Sequence, residues 1–318
     1  VPYRAESPSS GREQGEHLKP TTVLTSKQIL LNRTFADVLA HSSASAAGFH
    51  ANSEWLTCPE RMRLKAMGVE KRPDYNGGGF GFEELNALDL GTLIHELLAM
   101  RVQHGHETMM NELARWRAEL HEKTFAQAML IMGTYEFTFP QANEALRFLA
   151  VEAEVITNVG PGNIDRTVRY DAVVQAQNPG GGWELYSLER KTMSRSGFSS
   201  LFAYYPQGMT QVALWNANAA LVEEYGEMKG VIYESIVKTK APSVDRQPTY
   251  FTKRQQEMAL AYMRYSEDGT VRYNASPDGS FPRMLHACWG RWSPCPYIGL
   301  CHDELTGDYR LKDGSPLP

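Results

Sequence analysis

What the sequence lacks narrows its class before any motif is read. No apolar run approaches the roughly 20 residues of a membrane-spanning helix. The first twenty residues, VPYRAESPSSGREQGEHLKP, have no apolar core of the kind a secretory signal needs. A cytoplasmic protein without a membrane partner is therefore expected. Basic charge is not in excess: 32 Lys and Arg stand against 37 Asp and Glu, a formal net charge of -5. A histone-like basic coat is excluded, whereas a local basic groove that tracks phosphates is not. The glycine-rich segment NGGGFG (Asn76 to Gly81) is not followed by Gly-Lys-Ser/Thr, so it lacks phosphate-loop spacing. There is no internal repeat. Cysteine is scarce, four in 318 residues, and unevenly placed: Cys58 stands alone, while Cys288, Cys295 and Cys301 crowd the C-terminal region. In a reducing compartment that distribution suits a metal or cluster site better than disulfides.

What is present is the composition of a globular protein, 42% hydrophobic and 22% charged. Residues 1–20 are polar and expected to be disordered. Residues 21–150 read as a helical region, with helices expected over about 26–40, after Cys58-Pro59, and over about 84–132 with a break near Gly105. Residues 151–240 form the core. Three β-rich stretches, VEAEVIT, TVRYDAVVQAQ and WELYSLERKT, come first, the last two joined by the turn NPGGG. A helix over about 204–225, with Pro206 in its first turn, and a strand GVIYESIVK follow. Residues 241–318 hold a helix over about 253–265 and a Cys/Trp/Pro-rich segment. The fold class is α/β, a central mixed sheet flanked by helices in one integrated domain.

Side chains two apart in a strand share a face. One face of WELYSLERKT carries Trp183, Leu185, Ser187, Glu189 and Lys191, so an apolar face ends in an acid and a base. Burying that pair is costly unless something compensates, such as a metal ion or a phosphate. The preceding strand offers Asp171, which a hairpin through the glycine turn brings beside Glu189. Two converging carboxylates make a hard-cation site for Mg²⁺ or Mn²⁺, with the lysine placed to orient water or stabilise charge at phosphorus.

Asp171 followed eighteen residues on by Glu189-Arg190-Lys191 resembles the D…(E/D)-x-K signature of PD-(D/E)XK nucleases. Further features resemble the RecB-like branch: Gly91-Thr-Leu-Ile-His95, the acidic strand start Val151-Glu152, and Gln207 and Gln211 followed by Trp215 in place of a usual tyrosine. Cys58-Pro-Glu-Arg with Cys288, Cys295-Pro-Tyr and Cys301 resembles the cluster ligands of AddB-like and CRISPR-adaptation nucleases, over a resemblance covering roughly residues 50–302. The resemblance implies a restriction-endonuclease-like sheet and metal-dependent hydrolysis of DNA. It casts His95, Asp171 and Glu189 as metal ligands, Lys191 and Gln211 as catalytic, and Glu152 as a further possible ligand. Asp165, within Gly162-Asn-Ile-Asp165-Arg, is a rival to Asp171, because that segment also resembles the family's form. The N- and C-terminal segments would be joined at a four-cysteine [4Fe–4S] cluster. Zinc and free thiols remain alternatives, and six residues between Cys288 and Cys295 is a longer gap than the family's usual two.

The function implied is a Mg²⁺/Mn²⁺-dependent exonuclease acting on single-stranded DNA or DNA ends in recombination or repair. A structure-specific endonuclease and a non-catalytic redox-sensing DNA-binding protein are the rivals. Any helicase activity would come from a partner. Arg61, Arg63, Lys65, Lys71, Arg72 and Arg195 are candidates to line a phosphate groove, and Phe198, Phe202, Tyr204 and Tyr205 to stack on bases, with a solvated face or core as the alternative in each case.

Overall fold

A five-stranded mixed sheet carries the candidate site. In chain order the elements are strand β1 (Val69–Lys71), helices α1 (Ala87–His104), α2 (His106–Arg115) and α3 (Glu122–Thr138), and strands β2 (Leu146–Asn158), β3 (Asp165–Gln177) and β4 (Trp183–Met193). Helices α4 (Pro206–Ala217) and α5 (Ala219–Tyr225), strands β5 (Met228–Val237) and β6 (Ser243–Tyr250), helix α6 (Lys253–Asn274) and strand β7 (Tyr309–Leu311) complete them. The computed structural model describes residues 24, 26–29, 31–33, 69–71, 87–158, 165–193, 206–274 and 309–311.

The sheet order is β2-β3-β4-β5-β6. Strands β2, β3 and β4 form an antiparallel meander, β5 runs parallel to β4, and β6 antiparallel to β5. The β3–β4 turn closes with Gly181 N donating to Asn178 O at 2.9 Å and Gly182 N to Asn178 Oδ1 at 2.9 Å. A parallel pair needs a crossover, and the chain between β4 and β5 includes α4 and α5.

Both sheet faces are covered, so the central strands must be apolar on both sides. Tyr186 and Leu188 of β4 join Leu97, Met109, Ile131 and Tyr135 in a core with α1, α2 and α3. Leu185, facing the other way, joins Val212, Leu214 and Trp215 of α4 and Val231 and Tyr233 of β5 in a second core. The result is the helix–sheet–helix α/β arrangement expected from the sequence.

The elements differ from expectation in several places. The helix expected from about 26 does not form over 26–29 or 31–33. There the backbone is bound by other elements: Ile29 N donates to Gln103 Oε1 at 2.9 Å and Asn32 N to Glu112 Oε2 at 3.2 Å. The helix expected over 204–225 divides at Asn218, whose side chain caps α5 by accepting from Leu221 N at 3.3 Å. Strand β2 starts at Leu146, earlier than expected, and β6 was not anticipated: its polar, alternately exposed residues and Pro248 are those of an edge strand. The break at Gly105, between α1 and α2, falls where expected. Strands β1 and β7 pair antiparallel, Val69 with Leu311 and Lys71 with Tyr309, joining an early segment to a late one. Cys58, Cys288, Cys295 and Cys301 lie outside the described residues, as do Arg61, Arg63, Lys65, Arg72, Arg195 and the aromatics at 198–205. Among the described residues no helix is long and apolar enough to cross a membrane.

Candidate metal centre and active site

Three side chains on three elements converge. One ligand atom from each of His95 (α1), Glu152 (β2) and Asp171 (β3) lies within 4.8 Å of the other two. His95 Nδ1 stands 3.6 Å from Asp171 Oδ1, and Asp171 Oδ2 accepts the backbone N–H of Arg190 at 2.7 Å. Helix α1 comes this close to the sheet because of Gly91, one turn before His95. A Cβ there would stand 2.9 Å from Thr192 Oγ1 on β4.

The two carboxylates sit where both strands change face. Paired Val151 and Ala172 belong to the α1–α3 core, whereas paired Ala153 and Tyr170, two residues away in each strand, belong to the α4 core. Regular period-two strands would keep all four on one side. The switch is centred on Glu152 and Asp171, and Glu152 has φ 50, in the left-handed region. A non-glycine residue there costs on the order of 1 kcal/mol. The backbone strain therefore falls at Glu152, one of the two carboxylates.

Their electrostatics follow from this crowding. Burial pushes the Glu152 carboxyl up to about 7, and the charge of Asp171 adds to the effect. Burial would also raise Asp171, but the charges and hydrogen bonds of His95 and Arg190 hold it well below the usual carboxylate range. Burial lowers His95, and Asp171 more than reverses this, so the imidazole is raised overall.

On the α4 side of β4, the expected face is present. Glu189 is 3% exposed, and its Oε1 accepts from Lys191 Nζ at 2.5 Å and from Gln207 Nε2 at 2.8 Å. Its Oε2 accepts from Gln211 Nε2 at 2.7 Å. Lys191 Nζ also donates to Gln207 Oε1 at 3.0 Å, and Ser187 Oγ donates to Gln211 Oε1 at 3.1 Å. Burial and nearby Asp171 push the Glu189 carboxyl up, against the pull of Lys191 and Gln211. Helix α4 is held close because Gly208 leaves room for Tyr233, whose hydroxyl would lie 2.1 Å from a Cβ at that position. An ammonium fixed by an acid and an amide beside a candidate metal site can stabilise charge on a bound phosphate.

The sequence therefore placed these residues unevenly. His95 and Asp171 come together as expected. Glu152, expected only as a possible ligand, shares their cluster, while Glu189 is engaged by Lys191, Gln207 and Gln211. Asp165 lies at the start of β3, paired with Asn158, six residues along the strand from Asp171. Trp215 is fully buried and donates from Nε1 to Gly226 O at 3.0 Å, which makes it a core residue. Sequence reading quoted Arg190 within the motif but missed the role of its side chain and the residues behind it, Glu234 and Arg246. A charged residue within an apolar strand was the signal for Arg190 and Glu234, and the polar strand β6 gave none for Arg246.

No family model matches the chain, and no curated protein matches it. A crystal structure from Eubacterium rectale described as a "Putative exonuclease" is 13% identical, covering 77% of this chain and 86% of that chain with a TM-score of 0.39. The crystal structure of SSO0001 is 14% identical, covering 78% and 98%, with a TM-score of 0.31. At such scores a functional reading has to rest on the site's own geometry.

Proposed function

We propose that this protein is a metal-dependent nuclease that hydrolyses phosphodiester bonds in DNA, working on single strands or DNA ends as an exonuclease. The observation that carries the reading is the convergence of His95, Glu152 and Asp171 within 4.8 Å, with the Glu189–Lys191 pair on the adjoining strand. An imidazole nitrogen with two carboxylates fits a divalent cation such as Mn²⁺ or Mg²⁺. When bound, such an ion supplies Lewis-acid stabilisation of charge at phosphorus.

The chain's own groups do the rest. Arg190 N fixes one Asp171 oxygen and leaves the other beside His95. Glu189 and Gln207 hold the Lys191 ammonium, which stabilises negative charge developing on the phosphoryl oxygens. Gln211, tied to Ser187 and Glu189, keeps that acid in place. DNA as the substrate is supported by the ordered resemblance of these same residues to RecB-like nucleases.

The chain is also proposed to carry a [4Fe–4S] cluster on Cys58, Cys288, Cys295 and Cys301. Pairing of β1 with β7 supports this, because it sets the segment after Cys58 beside the segment after Cys301.

The test is incubation of the pure chain with end-labelled single- and double-stranded DNA in Mn²⁺, Mg²⁺ or EDTA. Metal-dependent release of label is expected from wild type and not from Lys191→Ala. Cleavage undiminished in Lys191→Ala, or undiminished in EDTA, overturns the reading. A supercoiled circle left intact marks an exonuclease, and a nicked one a structure-specific endonuclease.

A further inference from the structure

Each of the five sheet strands contributes one charged residue to a row that ends at the candidate metal centre. Glu152 (β2) and Asp171 (β3) are followed by Arg190 (β4), Glu234 (β5) and Arg246 (β6). Arg190 pairs in register with Glu234, and Glu234 with Arg246. The links are direct. Arg190 Nε donates to Glu234 Oε2 at 3.2 Å, and Glu234 Oε1 accepts from Arg246 Nε at 2.8 Å and Tyr135 OH at 2.8 Å. Arg246 Nη1 then donates to Glu144 Oε1 at 2.5 Å.

Arg190 is unusual within this row. Its side chain and that of Glu234 are 0% exposed, yet neither Nη1 nor Nη2 of Arg190 has a hydrogen-bond partner among the described residues. A guanidinium offers five N–H donors, and leaving most of them unused in a dry interior is costly. Its backbone N–H is bound to Asp171 Oδ2, so the residue touches the candidate metal centre through its main chain. The side chain faces the sheet side that α1 and α3 cover, opposite Glu189 and Lys191. There its charge acts on Asp171, Glu152 and His95 together.

We propose that Arg190 is a positioning residue whose buried charge sets the metal affinity of the His95–Glu152–Asp171 site, and that Glu234 restrains it from behind. This rests on the metal-dependent reading above. A fixed cation beside the donor set lowers its affinity for another cation. The anion on the far side, Glu234, holds the guanidinium back from the two carboxylates. Without Glu234 the carboxylates acting on Arg190 among the described residues are those of Asp171 and Glu152, and the arginine then competes with the metal. The row thus makes affinity depend on side chains outside the His95–Glu152–Asp171 donor set.

The two halves predict opposite shifts, which damage to the fold alone would not give. Mn²⁺ binding to the metal-free full chain is read from the electron paramagnetic resonance signal of free Mn²⁺. Arg190→Met should bind Mn²⁺ about tenfold more tightly than wild type, and Glu234→Gln about tenfold more weakly. Arg190→Lys, which retains the charge, should stay close to wild type. In the double variant Arg190→Met/Glu234→Gln the weakening should disappear. If Glu234→Gln shows no cooperative melt, Glu144→Gln replaces it: Arg246 then pulls harder on Glu234, and binding should weaken in the same sense but less. Shifts of Arg190→Met and the glutamate variant in one direction, or an unchanged Arg190→Met, overturn the proposal while leaving the metal site standing. A wild-type chain that takes up no Mn²⁺ overturns the metal reading and this inference with it.

Discussion

Gly91 and Thr192 meet where helix α1 crosses the end of strand β4, and a Cβ on Gly91 would stand 2.9 Å from Thr192 Oγ1. One helical turn later, His95 reaches Asp171 at 3.6 Å. The glycine therefore sets how far the imidazole lies from the carboxylates. Gly91→Ala should displace α1 and lower metal-dependent DNA cleavage by roughly tenfold or more, since misplacement by about 1 Å is known to cost up to a hundredfold. Adding Thr192→Ala should restore most of the rate by removing the obstructing oxygen. Steady-state cleavage of the single and double variants checks this, and a double variant as poor as Gly91→Ala would reject it.

The two candidate aspartates are separable by the same assay. Asp171 meets His95 and the Arg190 amide, while Asp165 is paired with Asn158 at the beginning of β3. Six residues of strand span about 20 Å. Asp171→Asn should abolish both cleavage and Mn²⁺ binding, whereas Asp165→Asn should keep most of each. The opposite pattern would move the centre to the start of β3.

The raised carboxyl of Glu152 has a consequence for the metal-free chain. Its proton is held up to about 7 in the folded state, against about 4.3 for an unfolded glutamate. Between those values the unfolded chain binds fewer protons, so folding stability falls as the pH rises across this window. His95, also raised, contributes stability that is present below about 6.5 and lost as the pH climbs through its folded value, which tilts the curve the same way. In EDTA the urea midpoint should therefore be lower at about pH 7.5 than at about pH 5. Glu152→Gln should flatten the lower part of that slope. A wild-type midpoint that rises across the window would contradict the buried, proton-holding glutamate.

Strand β4 was legible because its pattern obeys one rule. Period two put Ser187, Glu189 and Lys191 on one face, and the structure sets that face against Gln207 and Gln211 of α4. Glu152 was less legible because its left-handed φ and the change of face shared by β2 and β3 break that period. The row through Arg190, Glu234 and Arg246 was hidden for another reason. It depends on pairing between strands distant in sequence, and one of them, SVDRQPTY, reads as a polar loop. Residues 26–29 and 31–33 carried a helical pattern, but Gln103 of α1 and Glu112 of α2 take the backbone donors of Ile29 and Asn32. Local propensity loses there to tertiary hydrogen bonding.

The last prediction concerns the ends of the chain. Val69–Lys71 pairs with Tyr309–Leu311, so segments that begin eleven residues after Cys58 and eight after Cys301 run side by side. A ladder of three residues per strand is a weak clasp by itself, since isolated two-stranded pairs are marginal in water. A cluster on Cys58, Cys288, Cys295 and Cys301 would reinforce it by closing a loop with 229 residues between Cys58 and Cys288. Chain-entropy arithmetic framed for disulfides puts such a cross-link at about 5 kcal/mol, comparable to the net stability of many domains. Anaerobically purified wild type should be brown, with about four iron atoms per chain, as a thiolate-held cubane requires. Cys58→Ala and Cys295→Ala should lose the iron and become sensitive to proteolysis. Lys191→Ala should keep iron, colour and melting temperature while losing cleavage, because Lys191 belongs to the Glu189–Gln207 network on β4 and α4. Zinc in place of iron would keep the staple and change its chemistry. Metal-free wild type, or cysteine variants as stable as wild type, would leave the β1–β7 pairing without a covalent partner.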